Sequence, residues 1–418
     1  MRIFRRLLAA GIAAIGSLLL ALFIERSTPV TLPPPTGRFA VGRTLFDWKD
    51  QNTVDVLAPV PGRTRELLVW IWYPAQAARD GAGADTYVPA AVRSLATYLE
   101  PAPIFKLLSR DSSRVHGHSI EDAAIARGQR SYPVVIFRAG ASAEVLNYST
   151  LTEDLASHGY VVVGFDAPYR TMAVVFPDGR VYERTPENNP ELYSGAELTR
   201  VANKLLTAWT GDVGFVLHRL AGLNAAEPSG RFTGSLDMAH VGVFGHSFGG
   251  ATAAQFCSQD SRCTAGIDID GSLHGDVLRT GIQRPFLFLM SGHGDLSSDA
   301  EARQVMADIR SVYDRLPEND RLMVSIRGAN HFTFSDDGAF RKSHLLRAVL
   351  RIAGQLGIDP RRQVEITAYC VHRFFDAYLK RTGTRPQQIA SPLYPELRVL
   401  TKAAAAHSTV AAGLPPRK

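Results

Sequence analysis

One serine in this chain stands where a nucleophile would stand. Val241-Gly242-Val243-Phe244-Gly245-His246-Ser247-Phe248-Gly249-Gly250-Ala251 passes from an apolar, β-branched run into a small-residue run suited to a helix, with Ser247 at the junction. This is the G-x-S-x-G pattern of a nucleophile elbow. A strand-to-helix reversal that sharp strains the backbone at the serine and leaves no room for side chains two residues either side, so glycine is needed there. The hydroxyl is then held proud of a sheet edge. The Phe248 N–H, at the start of the following helix, lies under any oxyanion formed there. The chemistry implied is attack by an activated serine on an acyl carbon. With 35 glycines in 418 residues, the bare pattern is a weak signal. The strand before it and the helix after it give it weight.

A serine hydroxyl is a poor nucleophile until a base takes its proton, and an imidazole does so best when a carboxylate fixes its tautomer. Of 12 histidines, His331 is the best placed. It follows the last expected strand through Gly328-Ala329-Asn330, and Phe332-Thr333-Phe334 can pack its loop. His293 and His344 are alternatives, while His246, beside the serine, is expected to point away from it. Three acids compete for the remaining role. Asp270 ends the strand after the elbow, before Gly271; Asp295, in Ser291-Gly292-His293-Gly294-Asp295, ends the next; Asp268 lies two residues before Asp270, further into the sheet.

These side chains need a scaffold that brings strand ends together. Short, wholly apolar runs separated by helical stretches are the pattern of strands buried on both faces. Residues 132–137, 159–166, 265–270, 285–290 and 322–326 are such runs, joined by the elbow strand itself. Residues 148–158, 197–223, 300–316 and 365–380 read as helices. The alternation predicts a right-handed, mostly parallel sheet. Residues 53–58 and 65–73 read as the first two strands, paired across Pro61-Gly62. Residues 80–130 read as irregular helical insertions, and residues 167–195 as a long polar loop.

The chain opens with a targeting segment. Arg2, Arg5 and Arg6 precede an apolar stretch from Leu7 to Ile24 that borders on the length of a membrane span. Positive residues before the span favour an inside N-terminus and an exported, periplasmic or extracytoplasmic body. No A-x-A cleavage site follows, so residues 1–26 read as an uncleaved anchor, the alternative being a signal peptide whose cleavage releases a secreted body. Residues 27–38 form a Pro-rich linker, residues 39–400 the folded domain, and residues 401–418 an Ala-rich, disordered tail. Half of the formal charge of +6 sits in the anchor, and no Lys/Arg run carries interleaved aromatics, which argues against nucleic-acid binding. Of three cysteines, Cys257 and Cys263 flank a polar turn that a disulfide could close, and they could equally be core residues; Cys370 stands apart. Their spacing does not resemble a zinc site.

Taken together, Gly245-His246-Ser247-Phe248-Gly249-Gly250-Ala251, Leu155-Ala156-Ser157-His158-Gly159-Tyr160, Ala265-Gly266-Ile267-Asp268-Ile269-Asp270 and the Ile326-Arg327-Gly328 lead into His331 resemble the secreted platelet-activating-factor acetylhydrolases. These are also called lipoprotein-associated phospholipases, and they have bacterial esterase relatives. The similarity runs from about Phe39 to about Tyr378. It implies an α/β-hydrolase fold with helical insertions and a calcium-independent serine esterase, without metal or organic cofactor, for short or truncated acyl esters. In that family the acid lies 23 residues after the serine, the spacing between Ser247 and Asp270. The resemblance also implies a second oxyanion donor, the backbone N–H of Ala141. One departure is visible: the family usually carries a His-Gly pair after the strand that ends here at Phe137, whereas this chain has Arg138-Ala139-Gly140-Ala141. A backbone donor survives that change; the shape of the acyl pocket need not. Two rival readings are a polyester or lactone hydrolase or acyltransferase with the same three residues, and a non-catalytic binding protein on a hydrolase scaffold. The intact Ser, Asp and His argue against the second.

Overall fold

The computed structural model describes residues 2–76, 86–99, 103–141, 143–292, 300–382 and 389–400. Its frame is a ten-stranded sheet. The strands are β1 (Ala40–Val54), β2 (Thr64–Ala75), β3 (Ser119–Glu121), β4 (Tyr132–Arg138), β5 (Val161–Asp166), β6 (Leu236–His246), β7 (Cys263–Ile269), β8 (Phe286–Ser291), β9 (Arg321–Ile326) and β10 (Leu397–Val399). Their spatial order is β10-β9-β8-β7-β6-β4-β5-β2-β1-β3. The central run from β9 to β5 is parallel throughout, and β2 and β10 flank it antiparallel.

The long helices are α1 (Arg2–Ser27), α2 (Ser149–Ser157), α3 (Gly195–Ala225), α4 (Phe248–Gln259), α5 (Ala300–Asp314), α6 (His344–Ile352) and α7 (Pro360–Tyr378). Successive strand side chains point to opposite faces, so a strand covered on both sides must be apolar at every position. In β4, Val135 and Phe137 pack into one core while Val134 and Ile136 pack into the other. The apolar runs read from the sequence are these central strands.

The flanks differ from the sequence reading. The first strand is not residues 53–58 but Ala40–Val54, paired with β2 from Ala40↔Ala75 to Val54↔Thr64. Its charged outer half is stabilised across the pair, with Lys49 3.1 Å from Glu66 and Arg65 3.5 Å from Asp50. The loop at residues 167–195 contains a hairpin, Ala173–Val175 against Val181–Glu183. It is pinned by buried Arg170, which donates to Asp55 and Asp212 at 2.7–3.0 Å. The insertion at residues 80–130 supplies β3 at the sheet edge as well as short helices.

Among the described residues, α1 alone is long and apolar enough to cross a membrane. The Pro-rich stretch after it runs along the body: Val30–Thr31 pairs with Val115–His116, and Phe39 donates its N–H to the Ser157 carbonyl at 3.0 Å. Cys257 and Cys263 form a disulfide, and Cys370 is a free, buried thiol. The tail at residues 401–418 lies outside the described residues.

Candidate active site

The turn from β6 into α4 holds Ser247 at φ 56° and ψ −126°. A non-glycine residue at positive φ is strained, and it persists only where its surroundings impose it. Two close approaches do so here. A Cβ on Gly245 would lie 2.3 Å from the Gly249 carbonyl, and a Cβ on Gly249 would lie 2.2 Å from the Arg138 carbonyl at the end of β4. Ser247 also donates its own N–H to the Ile269 carbonyl at 2.8 Å, which locks the turn to β7. Phe248 opens α4, so its N–H is one of the donors that a helix start leaves without an intrahelical partner.

The end of β7 places a carboxylate against His331. Asp270 Oδ2 lies 2.8 Å from His331 Nδ1, while Oδ1 accepts the N–H and hydroxyl of Ser291 at 2.7 and 2.8 Å. Burial pushes this carboxyl up, but the bonds from His331 and Ser291 outweigh it and hold the group below its ordinary value. An ionised carboxylate only accepts, so Nδ1 carries the proton and Nε2 keeps its lone pair. The His331 ring lines one cavity with Ser247. His331 stands on the turn after β9, where Asn330 caps it by accepting the Phe332 N–H at 2.9 Å.

Asp268 has the opposite environment. It is fully buried beneath α4, its Oδ1 accepts the Gly271 N–H at 2.8 Å, and burial together with Asp270 pushes it well above the carboxylate range. It does not meet the histidine. Asp295 and His293 lie outside the described residues. His344 is at the surface, paired with Glu25 at 2.6 Å.

His246 was expected to point away from the serine, yet it lines the same cavity. Its ring is buried, 4.6 Å from the His331 ring, and its Nδ1 is 2.7 Å from the Tyr148 hydroxyl. Burial, and then the neighbouring His331, lower it to about 3, so it is a neutral packing partner for the second imidazole.

The cavity measures about 230 Å³. Gly140 and Ala141 form its wall beside the serine, and Arg184 donates to the Ala141 carbonyl at 2.9 Å, fixing that peptide. Arg138, where the sequence departs from its resemblance, does not enter the cavity. Its guanidinium is sandwiched 4.1 Å from the Phe165 ring and 4.2 Å from the Trp209 ring, and it donates to the Phe165 carbonyl. Burial lowers it to about 10, still charged at neutral pH. Tyr148, Arg184 and the buried wall residue Glu144 carried no signal in the sequence. Tyr148 and Glu144 line the cavity, and Arg184 braces its wall through Ala141, each from a loop or short helix whose position the sheet alone does not set.

A mostly parallel sheet, a strained serine on a strand-to-helix elbow, and a histidine–carboxylate pair on the two strand ends beyond it define the α/β-hydrolase class. The solved ferulic acid esterase from Streptomyces cinnamoneus has the same fold, with a TM-score of 0.72 at 24% identity over 90% of this chain and 100% of that one. The family described as "Platelet-activating factor acetylhydrolase, isoform II" matches residues 24–174 and 197–386. The chain belongs to that family and is a carboxylic-ester hydrolase. Among its relatives, "Probable 1-alkyl-2-acetylglycerophosphocholine esterase" from Arthroderma benhamiae is 27% identical over 91% of this chain and 96% of that protein. "Platelet-activating factor acetylhydrolase" from Canis lupus familiaris is 25% identical over 77% of this chain and 71% of that protein.

Proposed function

We propose that this protein hydrolyses short-acyl esters of the 1-alkyl-2-acetylglycerophosphocholine type through an acyl-enzyme on Ser247. His331 Nε2 takes the Ser247 proton as Oγ bonds to the ester carbonyl carbon. The same proton passes to the departing alcohol oxygen as the ester C–O bond breaks. Water then attacks the acyl carbon as His331 takes its proton, the acyl–Oγ bond breaks as that proton passes to Ser247 Oγ, and the carboxylic acid departs. Asp270 holds the tautomer and stabilises the imidazolium. The N–H groups of Phe248 and Ala141 face the oxyanion.

The observation that carries this reading is the 2.8 Å bond from an ionised Asp270 to His331 in a cavity shared with the strained Ser247. The cavity volume supports a short acyl group, since about 230 Å³ falls below the roughly 300–1,000 Å³ of pockets that hold drug-sized ligands. Membership of the acetylhydrolase family points the same way. We place the catalytic body outside the cytoplasm, held at the membrane by α1, because Arg2, Arg5 and Arg6 precede the span.

The test is hydrolysis of a nitrophenyl ester series, from acetyl to long acyl chains, by the protein and its Ser247→Ala variant in the presence of a chelator. Serine-dependent release that favours short chains is expected. Equal release from both proteins, or a preference for long chains, would overturn the reading.

A further inference from the structure

We infer that Asp154, His158 and His372 form a site for one divalent first-row metal ion of the zinc type, away from the ester-hydrolysing cavity. Asp154 and His158 stand one turn apart at the C-terminal end of α2, a spacing that puts both side chains on one face. His372 comes from α7, which packs against α2. One donor atom from each residue can be chosen so that all three lie within 4.8 Å of one another.

The distances favour a shared ion over simple hydrogen bonding. His372 Nδ1 is 3.4 Å and His158 Nε2 is 3.9 Å from Asp154 Oδ2. The first is a long hydrogen bond and the second lies beyond hydrogen-bond reach, and both separations suit ligands that surround one ion at about 2.0–2.2 Å each. The other carboxylate oxygen is already used: Asp154 Oδ1 accepts the N–H and hydroxyl of Thr36 at 2.9 and 2.7 Å. This orients Oδ2 towards the imidazoles, as outer-shell donors do at metal carboxylates. His158 Nε2 also meets the Thr36 hydroxyl at 2.9 Å, a contact the ion would replace.

The two rings sit 4.2 Å apart, a distance at which two imidazolium charges would repel. Lys380 stands beside the site, where it donates to the His158 carbonyl and is paired with Asp376 at 2.8 Å. Access is open: Asp154, His372 and Thr36 line a second cavity of about 110 Å³, and the His158 side chain is 21% exposed. Two imidazoles and one carboxylate select zinc-like ions over calcium or magnesium, which take oxygen ligands. A bound ion would fasten the segment that follows α1, through Thr36, to α2 and α7.

The experiment uses the full-length protein in detergent, stripped with chelator and titrated with zinc by calorimetry and by thermal unfolding. The expected result is one binding event, with a rise in melting temperature, that disappears in His158→Ala and His372→Ala. Thr36→Val should weaken binding about tenfold, the cost of losing an outer-shell donor. His372→Gln controls for lost packing: it should keep the metal-free melting temperature and lose the zinc response. Nitrophenyl acetate hydrolysis should be the same with and without zinc. Equal zinc binding by the wild type and both histidine variants, or a melting temperature indifferent to zinc, would overturn the assignment.

Discussion

Asp268 and Asp270 lie two positions apart at the end of one strand, and their surroundings shift their acidity in opposite directions. Asp270 receives His331 and Ser291 and is ionised; Asp268 receives one backbone N–H beneath α4 and is neutral. Substitution by asparagine therefore separates them. Asp270→Asn removes the acceptor that fixes the His331 tautomer, and kcat on a short-chain ester should fall by about 10⁴. Asp268→Asn replaces one neutral group with another of the same shape, and kcat should stay near the wild-type value. A large loss in the second variant and none in the first would move the acid away from Asp270. The sequence left Asp268, Asp270 and Asp295 open until a family spacing was applied, and the reason is physical. What distinguishes Asp270 is a contact with the turn after β9, 61 residues away, and local pattern carries no record of it. Ser247 and His331 were legible because strand, glycine and loop signals sit beside them in the chain. The approach of His246 to His331 was not, since it depends on how the side chain at the end of β6 turns against Phe334.

At the scale of elements, the elbow is the place where sequence has least freedom. Gly249→Ala would drive a Cβ into the Arg138 carbonyl, a backbone atom that cannot step aside. We expect a loss of about 3 kcal/mol or more in chemical unfolding, together with loss of esterase activity. Gly222→Ala is the contrast. It lies in α3 with nothing within 4 Å of the added carbon, so it should stabilise by up to about 1 kcal/mol and leave kinetics unchanged. The Cys257–Cys263 bridge joins α4 to β7 across a separation of six residues. Loop-closure entropy for so short a loop is about 2 kcal/mol, which the Cys257→Ser, Cys263→Ser double variant should lose in unfolding experiments without a change in KM. The central strands and the helices α2, α3, α4, α5 and α7 were readable as apolar runs and amphipathic or small-residue stretches. The 40–54 strand was missed over residues 40–52 because polar and charged residues interrupt its apolar ones, and their partners, Glu66 and Arg65 of β2 and Arg180 of the distant hairpin, are far away in the chain. Helix α6 was missed although Leu345, Leu346, Val349 and Leu350 recur at helical spacing, a signal that the sequence itself carries.

Across the whole molecule, buried titratable groups around the cavity set how stability depends on pH. Burial, with Asp166 adding to it, raises Glu144 to about 8; burial likewise raises Asp336 to about 8 and Asp166 to about 6. A carboxyl whose folded value is raised stabilises fully below its unfolded value near 4, and that contribution is lost as pH rises through the folded value. His246 acts in the other direction. Its folded value of about 3 lies below the ordinary 6.5, so its contribution is complete above pH 6.5 and is lost as pH falls towards 3. Between pH 6.5 and 8 only the carboxyls change, and between about 4.5 and 6.5 three carboxyls outweigh one histidine. The melting temperature should therefore be higher near pH 5 than at pH 8. Each pKa unit corresponds to about 1.4 kcal/mol, so one such carboxyl accounts for a difference on the order of a few kcal/mol. Glu144→Gln preserves the shape beside Asn147 and removes the ionisation, so it should raise the melting temperature at pH 8 more than at pH 5. A melting temperature independent of pH over that range, or a Glu144→Gln variant with an unaltered slope, would show that Glu144 ionises without cost. Glu144 lines the cavity that holds Ser247 and His331. A flattened slope would thus identify the wall of the active site as a source of this protein's alkaline instability, the compromise expected where function constrains which groups are buried.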